Sequence, residues 1–126
     1  MTARVLVTGS RSWPDAAAVE AALLEAWHDA LQAGHDGIVV VHGGCPTGAD
    51  RLAWEWAAAR DVMVEVHVAG WAQHGRAAGP LRNQAMVAAG AVVCLAFPLG
   101  RSVGTRDCMR RAAAAGIPVR DLGARR

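Results

Sequence analysis

The chain has 126 residues, enough for one domain of ordinary size, and 53% of them are apolar, enough to bury a core. Charged residues make up 19% with both signs interspersed, which excludes a disordered chain, and the formal net charge of +2 is too small to imply nucleic-acid binding by itself. All of the strong positive charge is arginine, whose planar fork suits bidentate phosphate contacts. Cys45, Cys94 and Cys108 form no CxxC pair and no ligand spacing for a metal, and their odd number argues against a disulfide framework. Neither a metal nor a cofactor is expected. Met1 to Arg4 runs straight into a strand-like segment without a signal peptide, and no apolar run reaches the roughly 18 residues of a membrane span. The expectation is a cytoplasmic protein, of a cell or of a virus replicating in it.

Arg4 to Thr8 is a β-branched run that ends at Gly9 and predicts the first strand. Trp13-Pro14-Asp15 opens an alanine-rich helix to about Gln32, with Val19, Leu23, Leu24, Trp27 and Leu31 at helical spacing and Gly34 as its stop. Ile38 to Val41 is a second strand, apolar on both faces as in a covered parallel sheet. A turn cluster, His42 to Gly48, leads into a helix over Ala49–Arg60 with Leu52, Trp56 and Ala59 near one stripe. Val62 to Val68 predicts a third strand and Ala69 to Ala78 a loop. Pro80 suits the first turn of a helix running to about Ala89. Ala91 to Phe97 is a fourth strand, Gly104-Thr105 opens a helix to Ala115, and Ile117 to Arg120 is a short last strand before a frayed tail, Ala124-Arg125-Arg126. The strict alternation predicts a single three-layer Rossmann-like α/β domain, with about five mainly parallel strands and helices on both faces. In such sheets ligands sit beyond the carboxyl ends of the strands.

Three loops at that edge have unusual composition. Gly9-Ser10-Arg11 supplies a tight turn, a hydroxyl and a forked cation, or else an ordinary turn with a solvated arginine. His42-Gly43-Gly44 with Thr47-Gly48 and Asp50 reads as an anion site: glycine amides lie unscreened, Thr47 is an N-cap, and a helix points its positive end inward. Asp50 either complements the helix dipole or bonds a ribose hydroxyl, and His42 either touches a ligand or caps the sheet edge. Gly104-Thr105 repeats the pattern after the fourth strand, with Asp107 in the first turn and Arg101 or Arg106 nearby. Arg82 and Asn83 at the start of the third helix could clamp a phosphate and read a base or sugar edge. Trp27, Trp54 and Trp56 read as packing residues, whereas Trp13 and Trp71 follow strands and either could stack on a base. Cys94 reads as inert packing; Cys45 and Cys108 lie near helix starts that could stabilise a thiolate.

These signatures resemble the SLOG superfamily and, within it, the YspA-like, cpYpsA-related group found in actinobacteria and their phages. The matching residues are Gly9-Ser10-Arg11, His42-Gly43-Gly44, Thr47-Gly48-Ala49-Asp50, Trp71, Ala78-Gly79-Pro80, Arg82-Asn83, Phe97-Pro98 and Gly104-Thr105, spanning nearly the whole chain in order. The resemblance implies binding of a nucleotide or nucleotide-derived signal, and relatives that are often dimers or larger. The wider superfamily includes cytokinin-activating phosphoribohydrolases, with an arginine–lysine pair and a Pro-Gly-Gly-x-Gly-Thr-x-x-Glu loop. Here Arg82-Asn83 stands at the pair, Gly104-Thr105 at the Gly-Thr, Leu99-Gly100 where Gly-Gly belongs, and Cys108 at the glutamate. Asp107 is adjacent but about 100° away around the helix. N-glycosidic hydrolysis needs a carboxylate near the ribose, so Arg82 with Asp50 or Asp107 would be the catalytic candidates. The expectation is therefore a nucleotide-binding module, with a nucleotide N-glycosidase as the alternative. Single-stranded DNA binding, the work of a distant branch of the superfamily, comes third because the charge is near neutral.

Overall fold

The structure, a computed structural model, describes residues 1–123, so the expected fraying at 124–126 falls outside it. Among the described residues five strands form one all-parallel sheet: β1 (Thr2–Gly9), β2 (Gly37–His42), β3 (Met63–Val66), β4 (Val93–Phe97) and β5 (Val119–Asp121), in the order β3-β2-β1-β4-β5. The α/β Rossmann-like expectation holds. The chain steps outward from β1 through β2 to β3, then returns to place β4 on the other flank of β1. The strand order thus reverses between β1 and β4, where open α/β sheets leave a crevice.

Two layers of helix cover the sheet. α1 (Ala16–Gln32) and α2 (Gly48–Ala59) cover the face that carries Val5, Val7, Val40, Leu95 and Phe97. α4 (Ala78–Ala88) and α5 (Val103–Ala114) cover the face that carries Leu6, Val41 and Cys94, with Met86, Val87, Cys108 and Ala112 supplied by the helices. β1, β2 and β4 are buried on both faces, and their β-branched runs follow from that. Asp15 caps α1 by accepting the Ala18 amide at 3.1 Å.

The helix faces depart from the expected stripes. α1 buries Ala22, Ala26 and Ala30 beside Val19 and Leu23, whereas Leu24 and Leu31 stay half exposed. Alanine lets the helix approach the sheet closely, so small size outweighs hydrophobicity there. α2 buries Ala49, Ala53, Trp56 and Ala57, while Ala59 faces outward. Trp54 is exposed on one side and its ring lies against His42, so it is no core residue. Trp13 is buried edge-on against Phe97, with ring centroids 5.2 Å apart, and is unavailable for stacking on a ligand.

The segment expected as a loop, Ala69–Ala78, contains a single helical turn, α3 (Trp71–His74), and a 3₁₀ turn over Gly75–Ala77. α4 then begins at Ala78, so Pro80 is its third residue. The first turn needs no intrahelical amide donor, which is why proline fits there. β3 is shorter than expected, although the His67 amide still donates to the His42 carbonyl at 2.9 Å beyond its end.

Candidate functional site

A cleft of about 570 Å³ opens where the strand order reverses. Its floor is Thr8 and Gly9 at the end of β1. Its walls are the β1–α1 loop, the start of α2, the α3–α4 segment and the first turns of α5. Gly9, Ser10, Arg11, Gly43, Asp50, Arg82, Asn83, Gly104 and Thr105 all line it, and these residues come from every loop singled out in the sequence. His42, Gly44, Thr47 and Gly48 do not line it. Arg11, Arg76, Arg82 and Arg110 bring four cations to the cleft against the carboxylates of Asp50 and Asp107.

The second loop works differently from its sequence pattern. The Gly44 amide donates to His42 Nδ1 at 2.9 Å, and the Cys45 amide donates to Asp50 Oδ2 at 3.2 Å. The Gly43 amide also favours the charged form of the Asp50 carboxyl. The Gly44 and Cys45 amides, expected to await an external anion, are therefore engaged by side chains five or fewer positions away. Thr47 caps α2 with extended backbone and makes no side-chain cap bond. Gly48 sits at φ +73°, and a Cβ there would lie 2.1 Å from the Ser10 carbonyl oxygen. That close approach lets the Ala49 amide donate to the same oxygen at 3.2 Å, which fastens α2 onto the β1–α1 loop.

His42 and Asp50 are buried titratable groups with opposite tendencies. Burial, then the nearby Arg82 charge, pushes His42 down to about 4. Because Nδ1 accepts a bond, the neutral ring carries its proton on Nε2, which has no acceptor among the described residues. Burial raises Asp50 to about 6 despite the amides of Cys45 and Gly43 and the charges of Arg82 and Arg11. Stability linked to His42 is complete above its unfolded value of 6.5 and is lost as pH falls toward 4. Stability linked to Asp50 is complete below its unfolded value of 3.8 and is lost as pH rises through about 6. Each effect is at most about 3 kcal/mol at 1.36 kcal/mol per pH unit, so between pH 4 and 6 they largely offset each other. Urea unfolding at several pH values checks this. Relative to the wild type, Asp50→Asn should lose stability as pH falls from 6.5 to 4, and His42→Asn should gain it. Parallel pH profiles for all three proteins would contradict the opposition.

Arg82 is fixed by the main chain. Its Nη1 donates to the Gly43 carbonyl at 2.9 Å and to the His67 carbonyl at 3.5 Å, and its Nε donates to Asn83 Oδ1 at 2.9 Å. A Cβ on Gly43 would lie 2.1 Å from Nη1, so that glycine makes room for the guanidinium. Asn83 is buried, and its amide group donates to the Gly104 carbonyl at 3.1 Å and to Asp107 Oδ2 at 3.0 Å. This links α4 to the first two turns of α5, which begins at Val103 and so places Asp107 in its second turn rather than the first. Burial works to raise the Asp107 carboxyl, but bonds from Arg111 and Asn83 and the charges of Arg111 and Arg110 overcome it and hold it below its usual value.

The third loop reaches the cleft through the start of α5. Ser102 adopts a left-handed conformation at φ 40° and offers α5 no side-chain cap. The first amides of a helix have no intrahelical partner, so those of Val103, Gly104 and Thr105 remain donors at the cleft. Arg106 folds back onto the carbonyls of Gly100 and Arg101, and neither Arg101 nor Arg106 lines the cleft. The arginine that does is Arg110, one turn beyond Asp107; the signal in the sequence is the spacing of 103, 107 and 110, which puts them on one helix face. Cys108 is fully buried against Cys94, so the position of the hydrolase glutamate points into the core. The bond to Cys108, then burial, pushes the Cys94 thiol upward, and both cysteines are packing residues. Cys45 is partly exposed and lines the cleft.

Among the described residues no cluster of three His, Cys, Asp or Glu side chains could hold a metal ion, and no helix is long and apolar enough to cross a membrane. Three comparisons place the chain among known proteins. A solved structure, the X-ray structure of the structural-genomics target TM1055, matches with a TM-score of 0.61 and 18% identity over 94% of this chain and 72% of that one, a likeness of fold. The Gene 61 protein of Mycobacterium phage D29 is 54% identical over 125 residues, covering 95% of this chain and 96% of its own. The family model described as "YspA, cpYpsA-related SLOG family" matches residues 3–74, from β1 through α3. The chain belongs to the YspA, cpYpsA-related SLOG family.

Proposed function

We propose that the cleft binds a nucleotide or nucleotide-derived ligand through its phosphate. The observation that carries this reading is the uncapped start of α5. Its free amides and its positive dipole end face a cleft at the sheet's reversal point, with four arginines around it. The phosphate would sit between Gly104-Thr105, Arg82 and the β1 loop of Gly9, Ser10 and Arg11. In this reading the second loop supports the site from behind: Asp50 fills its amide cradle and Gly43 admits Arg82. The volume is that of a small-molecule site.

The second reading, hydrolysis of a nucleotide N-glycosidic bond, is favoured by Asp50. It is the cleft carboxyl held near 6, a value suited to proton transfer near neutral pH. Calorimetry with AMP and GMP, paired with chromatography of the same mixtures for free base, separates the two. Binding without base release, retained in Asp50→Asn, supports the module. Base release lost in Asp50→Asn supports the hydrolase. Absence of binding by either nucleotide removes both.

A further inference from the structure

The mouth of the cleft carries two large apolar side chains that the fold leaves in water. Trp71, on α3, is 51% exposed, and Val103, at the start of α5, is 68% exposed; both line the cleft. The other tryptophans are occupied. Trp13 and Trp56 are buried, Trp27 packs edge-on against Trp56, and Trp54 lies on His42. Trp71 belongs to a hydrogen-bonded turn: its own amide donates to the Ala69 carbonyl, and those of Gln73 and His74 donate to Gly70. Its ring rests near Gly79, where an added Cβ would lie 3.4 Å from Cη2. Pro80, Met86 and Arg76 line the same region. An aromatic side chain half open to solvent, in a cleft that arginines also line, favours a flat ring.

We propose that Trp71, with Val103 of the same cleft, forms a stacking subsite for a planar heteroaromatic ring, so that the site prefers nucleoside phosphates to sugar phosphates. This rests on the phosphate-binding reading above. The ring supplies affinity through its face and so tolerates different bases, while the phosphate fixes orientation at α5.

Calorimetry with AMP, GMP, ribose 5-phosphate and inorganic phosphate tests it, on the wild type, Trp71→Ala and Trp71→Phe. The wild type should bind both nucleotides at least about tenfold more tightly than ribose 5-phosphate, Trp71→Ala should lose at least about tenfold for the nucleotides, and Trp71→Phe should keep most of it. Ribose 5-phosphate affinity should be unchanged by either substitution, which also shows that the variants are folded. Equal binding of AMP and ribose 5-phosphate by the wild type overturns the stacking subsite and leaves phosphate binding standing. So does unchanged nucleotide affinity in Trp71→Ala, or an equal loss for ribose 5-phosphate. Binding of none of the four probes removes the phosphate reading, and this subsite with it.

Discussion

Gly48→Ala should destabilise the protein by more than about 3 kcal/mol, because a strained backbone and a backbone collision act together. At φ +73° an L side chain is strained in any surroundings, and the new Cβ would meet the Ser10 oxygen at 2.1 Å and two Arg11 backbone atoms below 3 Å. These are main-chain atoms of a loop pinned by the Ser10 amide to the Phe97 carbonyl at 3.0 Å, so relief requires separating α2 from the end of β1. Gly34→Ala is the control. That glycine is also left-handed, at φ +96°, with nothing within 4 Å of its Cβ position. It should cost only about 1 kcal/mol, the conformational part alone. Urea unfolding of both variants separates strain from collision; equal losses would show that the contact between α2 and the loop is dispensable.

Arg82→Ala should weaken AMP binding by at least about tenfold, or 1.4 kcal/mol. The guanidinium is pre-positioned by the Gly43 and His67 carbonyls and by Asn83, so a ligand meets a donor that has already lost its rotamer freedom. Arg82→Lys should recover only a small part of the loss, since an ammonium lacks the planar fork that holds two carbonyls while facing the cleft. Gly43→Ala should act in the same direction by displacing Nη1. Arg11→Ala removes an exposed, solvated cation and should have a smaller effect. Calorimetry on variants with unchanged circular dichroism checks the ranking; Arg11→Ala outranking Arg82→Ala would reverse the assignment.

The architecture was legible in the sequence because alternation and burial on both faces leave periodic signals. Strand-length apolar runs separated by helical spacing define a parallel sheet, and the parallel sheet places the loops after β1, β2 and β4 on one edge. What the pattern could not show is which groups the protein uses for itself. Gly43-Gly44-Cys45 carries the composition of an anion loop, yet the Gly44 and Cys45 amides bond to His42 and Asp50. Those bonds depend on how the turn folds back, and composition does not encode it. Gly104-Thr105 has a weaker signature, since Gly-Thr at a helix start is a common cap, yet there the amides stay open because Ser102 is left-handed and caps nothing. Size also misled where hydrophobicity was read alone. Leu24 and Leu31 face outward on α1 while alanines pack against the sheet. Trp13 and Trp71 looked equivalent after strands one and three, but one is buried on Phe97 and the other opens onto the cleft. The single turn of helix that carries Trp71 is too short for periodicity to register, so its sequence reads as a loop.

The most direct test is a crystal structure of the protein soaked with AMP. The expected result is a phosphate within hydrogen-bond distance of the Gly104 and Thr105 amides, with Arg82 on its other side and Asp50 still bonded to Cys45. A phosphate seated instead on the amides of Gly43 to Cys45 with Asp50 displaced, or outside the cleft altogether, would contradict the account.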